Sequence, residues 1–191
     1  MTISFHAGGP AHTIDRLHAH KWGPQIERLL GDNGAAAGEP AQGLALGQPY
    51  RVQYLSLANM ANGDLGEAVH ATQWRHLLMS GDRPVAEVEL NDHLAPIALH
   101  EGPAKDGLQA AIQKAESLGE DFEASVVQSA PLKFVALLLR SGERELLIPF
   151  PPNLTDLPNY EPISVSDALK VLRPAAARVL EATSGDDALG G

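Results

Sequence analysis

Cysteine is absent from this chain of 191 residues. Its absence excludes disulfide bonds, thiolate zinc sites and cysteine nucleophiles. Proteins of reducing compartments do without disulfides, so we expect a cytoplasmic location. The segment from Met1 to Pro10 also lacks the basic and apolar regions of a secretory signal, which agrees with that expectation.

Long apolar runs and runs of basic residues are missing as well. The longest apolar run, from Phe134 to Leu139, is far shorter than the roughly 20 residues that a membrane-spanning helix needs. The formal net charge is −10, and the acidic residues are spread along the chain. Because a negative field repels phosphate groups, we expect neither direct nucleic-acid binding nor a membrane partner.

The short motifs that mark common active sites are missing too. The sequence contains no GxGxxG, no GxxxxGK[ST], no GxSxG, no HExxH and no calcium-binding loop. We therefore expect no cofactor, and a non-catalytic role is favoured. What is present is ordinary: 44% hydrophobic and 20% charged residues are typical of a globular chain that can bury a core.

Sequence patterns divide the chain into four parts. Residues 1–31 are predicted to be an N-terminal helical arm, because apolar residues recur there at helical spacing. Residues 32–42, rich in Gly, Ala and Pro, are expected to be a flexible linker or loop. Residues 43–183 form the predicted main domain, and residues 184–191 are a polar tail that we expect to be disordered.

The main domain combines alternating segments, typical of strands, with helical ones. The clearest helix is predicted from Ala104 to Leu118, with Gly119 as its stop. Short turns between strands force antiparallel pairing. We predict an α+β fold, with a mostly antiparallel sheet of about five to seven strands and two or three helices packed on it. The expected strands are Tyr50 to Ala58, Ala68 to Met79, Val85 to Leu90, Phe122 to Gln128, Leu132 to Arg140 and Glu145 to Phe150.

Three finer features accompany this fold. The segment from Leu132 to Leu139 is apolar on both faces, which predicts a central strand. Ser164 is predicted to cap the last helix, with Asp167 three residues later. Pro174 is expected to kink or restart that helix, because proline has no N–H to donate.

The register of the hairpin at 68–90 decides which side chains share a face. If Leu77 lies opposite Ala86, then His76 faces Glu87 and Trp74 faces Glu89, which gives a polar and aromatic ligand or partner face. If His76 lies opposite Ala86, then Trp74, His76 and Leu78 cover Ala86, Val88 and Leu90 as core. A slip of one residue separates the two.

Two further segments are candidate sites. His12, Asp15, His18 and His20 in the arm are candidate metal ligands, although an α-helix would direct His18 and His20 to opposite sides. The alternative is that these side chains are exposed or cap helix ends. The proline-rich loop 151–163 presents Asn153 and Tyr160, either as a binding edge or only as a long connection.

We therefore favour a non-catalytic protein-interaction or regulatory protein that acts through its sheet face or its arm. Its partner is another protein or a second copy in a homodimer. A small metal-dependent or His/carboxylate hydrolase is one alternative, and an acidic inhibitor or immunity-type protein is another. The hydrolase requires a carboxylate and at least three histidines in one pocket, from among His12, His18, His20, His70, His76, His93 and His100.

Calorimetric titration with zinc tests the metal hypothesis. If the arm histidines bind the ion, micromolar zinc gives a binding heat that His12→Ala reduces, because each lost imidazole removes a ligand. His100→Ala, outside the arm, is the control and leaves the heat unchanged. A flat titration of the parent protein ends the hypothesis.

Overall fold

A computed structural model describes residues 3–5, 23–26, 28, 44–66, 69–70, 74–91, 93 and 95–186. In chain order its elements are β1 (Ile3–Phe5), β2 (Leu44–Leu46), β3 (Val52–Tyr54), α1 (Leu57–Ala61), β4 (Val69–His70), β5 (Trp74–Ser80), β6 (Arg83–Leu90), β7 (Pro96–His100), α2 (Ala104–Glu116), β8 (Phe122–Ser129), β9 (Phe134–Ser141), β10 (Arg144–Pro149), β11 (Ile163–Ser164) and α3 (Val165–Asp186). Residues 23–26 and 28 are helical as well.

The predicted α+β class and the mostly antiparallel pairing are confirmed. The strands are divided between two sheets. One has the order β11-β10-β9-β8-β3-β4, with β1 also paired to β8, and the other has the order β2-β5-β6-β7. The pairing of β3 with β8 is parallel. No helix among the described residues is both long and apolar enough to cross a membrane.

The described residues form two compact units. The first unit lies within residues 1–4, 52–71 and 107–191, and the second within residues 5–51 and 72–106. Of the predicted arm, the structure describes only β1 and the helical residues 23–26 and 28. The rest of the arm and the whole of the predicted linker lie outside the described residues. The proposed division into arm, linker, main domain and tail therefore stays a prediction.

Strand β9 organises the core of the first unit. Its first six residues are all buried, and it pairs with β8 on one side and β10 on the other. Phe134, Ala136 and Leu138 belong to one apolar cluster with Leu172 and Ala176 of α3. The predicted central strand is thus found in the place that its doubly apolar sequence requires.

Helix α2 packs closely because its second turn contains a glycine. A β-carbon on Gly107 would lie 2.9 Å from the carbonyl oxygen of Pro151 and 3.0 Å from ring carbon Cδ2 of Phe150. The predicted helix from Ala104 is confirmed and ends at Glu116. Gly119 follows in the left-handed region with φ 81°, which an L residue adopts only at a cost.

Two predicted strands are shorter in the structure. Only Val52–Tyr54 of the segment from Tyr50 to Ala58 is a strand, because Ser56 caps a helix directly afterwards by accepting from the Asn59 N–H. The segment from Ala68 to Met79 contributes to both sheets, through β4 and β5. Local alternation cannot reveal such a change of sheet, since both pieces alternate in the same way.

The start of α3 matches its prediction. The Ser164 hydroxyl accepts from the Asp167 N–H at 3.1 Å and donates to the Asp167 carboxylate at 2.7 Å. The helix then continues unbroken through Pro174, so the expected restart was wrong. Pro174 is exposed, and water can therefore reach the helix carbonyl that its missing N–H leaves without a partner.

Gly107→Ala tests the close packing of α2. The added methyl group forces a shift that costs about 1–3 kcal/mol, of which better helix propensity returns about 1 kcal/mol. We expect a net loss of about 1 kcal/mol in the free energy of unfolding, measured in urea. Gly102→Ala, just before the helix, is the control for an added methyl group, because a β-carbon there meets no atom within 4 Å. Equal stability of the two variants would contradict this packing.

Candidate functional site

The hairpin of β5 and β6 settles which side chains share a face. Close to its turn, Met79 pairs with Pro84, in the phase of the first predicted register. A β-bulge then leaves Val85 without a paired residue, and beyond it Leu78 faces Ala86. The extra residue shifts the pairing by one and exchanges the two faces of β6 relative to β5.

His76 therefore faces Val88, and Trp74 faces Leu90. The predicted pairs of His76 with Glu87 and of Trp74 with Glu89 are wrong, and the bulge is the physical reason. The side chains that the second register assigns to the core do share one face of the sheet. Each β5 residue, however, pairs with the β6 residue two positions later than that register predicts. We call this side of the second sheet the core face; its members are Trp74, His76, Leu78, Ala86, Val88 and Leu90.

The core face is covered by the described part of the predicted arm. Ile26 is fully buried in a cluster with Leu78, Val85, Ala86, Val88 and Leu90. Arg28 follows, and its guanidinium donates to both carboxylate oxygens of Glu101 at 2.6 and 2.9 Å. His76 belongs to this packing, since its Nδ1 donates to the Gly47 carbonyl at 2.9 Å.

The opposite side of this sheet carries a charged network. The Arg75 guanidinium lies 3.0 Å from a Glu87 oxygen and 3.1 Å from a Glu89 oxygen. His100 Nε2 lies 3.4 Å from the same Glu89 oxygen. Glu87 and Glu89 are mostly buried, and removing two negative charges from water is unfavourable. The positive charge of Arg75 offsets this desolvation cost.

Tyr50 adds a hydroxyl group to this network. Its main chain pairs with that of Arg75, and its hydroxyl is buried close to the Glu87 carboxylate. Burial, and then the nearby Glu87 carboxylate, raise the pKa of Tyr50 well above its ordinary value. Both effects penalise the tyrosinate, so the hydroxyl keeps its proton and serves as a neutral group.

His76 and His100, two of the described histidines, do not share a site. His76 lies on the core face, while His100 lies with Glu89 on the opposite side of the sheet. His93 follows Asn91, whose side-chain oxygen accepts from the His93 N–H at 3.0 Å, and His70 lies in β4 of the first unit. No group of three potential metal ligands occurs among the described residues. The predicted ligands His12, Asp15, His18 and His20 lie outside the described residues.

The proline-rich loop of the first unit holds its own shape through Asn153. That amide donates to the Leu157 carbonyl at 2.8 Å and to Asn159 at 3.0 Å. Its oxygen accepts from the Thr155 N–H at 3.1 Å and from the Thr155 hydroxyl at 2.6 Å. Asn153 is thus engaged inside the loop, whereas Tyr160 is partly exposed. The residues predicted for the hairpin face divide between the two sides of the second sheet, with Trp74 and His76 on the core face and Glu87 and Glu89 on the other side.

A groove of the first unit lies between this loop and α3. Its volume is about 410 Å³. Its lining is mostly apolar and consists of Pro131, Leu132, Leu154, Thr155, Asp156, Val171, Ala175, Arg178, Val179 and Ala182. Val171, Ala175, Val179 and Ala182 recur at spacings of three and four residues, which aligns them along one side of the helix. We call this surface the α3 groove.

Leu154 is the unusual residue of the α3 groove. The residue is 70% exposed, although the loop that carries it is held by the Asn153 bonds. The Leu154 N–H also donates to the Lys133 carbonyl at 3.0 Å, which fixes the main chain beneath it. A large apolar side chain is therefore presented to solvent on an ordered support, beside a groove of apolar character.

Comparison of the chain with protein-family models, with curated proteins and with solved structures gave no match. The functional proposal therefore depends on the geometry of the chain itself.

Sequence reasoning missed Arg75, Tyr50 and the α3 groove. Arg75 could have been recognised, since alternation along β5 places it on the side opposite Trp74 and His76. The groove had no comparable signal. Leu154 is one leucine in an irregular segment, and only the folded loop brings it beside α3.

Tyr50→Phe tests the buried hydroxyl. Because the pKa of Tyr50 is raised in the folded state, the stability linked to this proton is fully present below about pH 10 and is lost as the pH rises further. The variant has no such proton, so its free energy of unfolding should fall less steeply above about pH 10. Near neutral pH we expect a loss of at most about 2 kcal/mol, since the hydroxyl that is removed lies against the Glu87 carboxylate.

Urea unfolding across an alkaline pH series measures the effect. Tyr54→Phe, at a partly exposed tyrosine of the first unit, controls for the loss of a hydroxyl group as such. Parallel stability curves for the parent and Tyr50→Phe would contradict the linkage.

Proposed function

We propose that this chain is a non-catalytic protein-interaction protein and that the α3 groove is its binding surface. The observation that carries the proposal is Leu154, 70% exposed on an ordered loop at the edge of an apolar groove of about 410 Å³. Binding energy in protein interfaces is concentrated in a few apolar anchors that seat in such depressions.

The form of the surface supports this role. An anchor contributes most when it is held in place before binding, because little conformational entropy is then lost. The Asn153 side chain and the Leu154 N–H provide this order through their bonds to Leu157 and Lys133. The other wall is an α-helix, whose half-buried Val171 and Val179 offer a firm apolar partner surface.

The alternative functions receive less support from the described residues. A hydrolase built on histidine needs several imidazoles at one point, whereas His76 and His100 lie on opposite sides of one sheet. An acidic inhibitor needs exposed carboxylates that face a basic partner, and Glu87 and Glu89 do not meet that need, since they are mostly buried and bound to Arg75.

Site-specific photocrosslinking tests the proposal. A photoreactive amino acid replaces Leu154 in one variant and Ile97 in the control, since Ile97 is another exposed large apolar residue and lies in the second unit. After irradiation of cells that express each variant, we expect a discrete protein adduct from position 154 and none from position 97. Mass spectrometry then identifies the crosslinked protein.

A blocked groove makes the test specific. Ala182→Asp places a charge on the groove lining at an exposed position, so folding is retained while apolar binding is opposed. The adduct from position 154 should decrease about tenfold in this background. Adducts of equal yield at positions 154 and 97, or adducts that Ala182→Asp leaves unchanged, would overturn the proposal.

A further inference from the structure

The α3 groove is lined by two side chains of opposite charge. Asp156 lies on the loop side and Arg178 on the helix side, and both line the groove. Among the described residues neither forms an ion pair, and the Arg178 side chain makes only a long hydrogen bond from Nε to the Pro174 carbonyl at 3.3 Å. Each therefore retains charge that a bound molecule can satisfy.

The same surface also provides both a projection and a recess. Leu154 projects from the loop, and the stripe of Val171, Ala175 and Val179 forms the apolar wall beside it. In a twofold dimer the same surface faces itself, so each feature must meet its complement in the second copy. A surface that contains a projection, a recess, an acid and a base has the complements that this symmetry requires.

We propose that the occupant of the α3 groove is a second copy of this chain, in a twofold dimer. Leu154 of each copy seats in the other copy's groove, against the stripe of α3. Asp156 of each copy then faces Arg178 of the partner subunit. This inference rests on the proposed function of the groove and names its partner.

Charge favours a second copy over other occupants. Each chain has a net charge of −10, so two copies repel one another unless they meet at a surface without excess charge. The groove lining has one acidic and one basic residue, which makes it locally neutral. A strongly basic partner needs an acidic groove instead, and a wholly apolar ligand leaves both charges without a role.

The apolar and polar residues also have the arrangement of an interface centre. Leu154 and the stripe of α3 supply the apolar contact, while Thr155, Asp156 and Arg178 supply the polar part. Polar residues around an apolar anchor exclude water from it and orient the partner. The dimer thus has a defined geometry, in which two symmetric ion pairs accompany two symmetric leucine contacts.

Sedimentation velocity over a series of protein concentrations measures the association. We expect the parent to form a reversible dimer. Leu154→Asp should weaken the dimer about 30-fold or more, because it removes an interface anchor twice by symmetry. Ile97→Asp, the matched control at an exposed apolar residue outside the groove, should leave the dissociation constant within about twofold.

Charge reversal tests the predicted ion pairs. Arg178→Asp or Asp156→Arg alone should weaken the dimer about tenfold, since each places two like charges together at two symmetric points. The double variant restores opposite charges and should return the dissociation constant to within about threefold of the parent value. Circular dichroism checks that each variant is folded. Ala182→Asp is a second groove variant, which places a charge in the groove lining and leaves Leu154 in place.

The outcomes separate this inference from the proposed function. A parent protein that stays monomeric at all concentrations, yet crosslinks from position 154 to a different protein, overturns the dimer and leaves the groove as a binding surface. A dimer that the groove variants do not weaken also overturns the inference, as does a double charge variant without recovery. A dimer weakened by the single variants and restored by the double variant supports it.

Discussion

The burial of β9 on both faces is the constraint on which the first unit depends. A strand with six consecutive buried residues requires cover on each side of its sheet, and α3 supplies that cover on one side through Leu172 and Ala176. The helix, however, is apolar over a wider arc than the sheet can cover. Val171, Ala175 and Val179 consequently remain only partly buried and form one wall of the α3 groove. The candidate binding surface is thus a direct result of how the core is closed.

The two sides of the second sheet are buried by different kinds of contact. Its core face is closed by Ile26 from the N-terminal region, while its other side buries Glu87 and Glu89. Such burial is stable only because Arg75, near the open end of the hairpin, lies within 3.1 Å of both carboxylates. A structural role accounts for these charges, and it explains why the polar residues that sequence patterns single out as a ligand face are engaged within the fold.

Prediction from sequence succeeded where one local pattern was sufficient. The doubly apolar segment of β9, the stripe of α2 and the Ser164 cap each depend on residues close together in the chain, and each was found. The hairpin register was not predictable in this way. The two-residue turn at Gly81 and Asp82 sets one pairing register, and the bulge at Val85 shifts that register by one residue. Val85, which the bulge leaves unpaired, is buried in the same cluster as Val88.

The sequence alone determined the absence of thiol chemistry, the acidic charge, the α+β class and the central strand. Each of these follows from composition or from a periodicity that needs no distant contact. Tertiary structure decided that the strands form two sheets, that His76 is part of a core, and that Leu154 lies beside α3. These features join residues far apart in the chain, and packing selects among pairings that local patterns leave equal in energy.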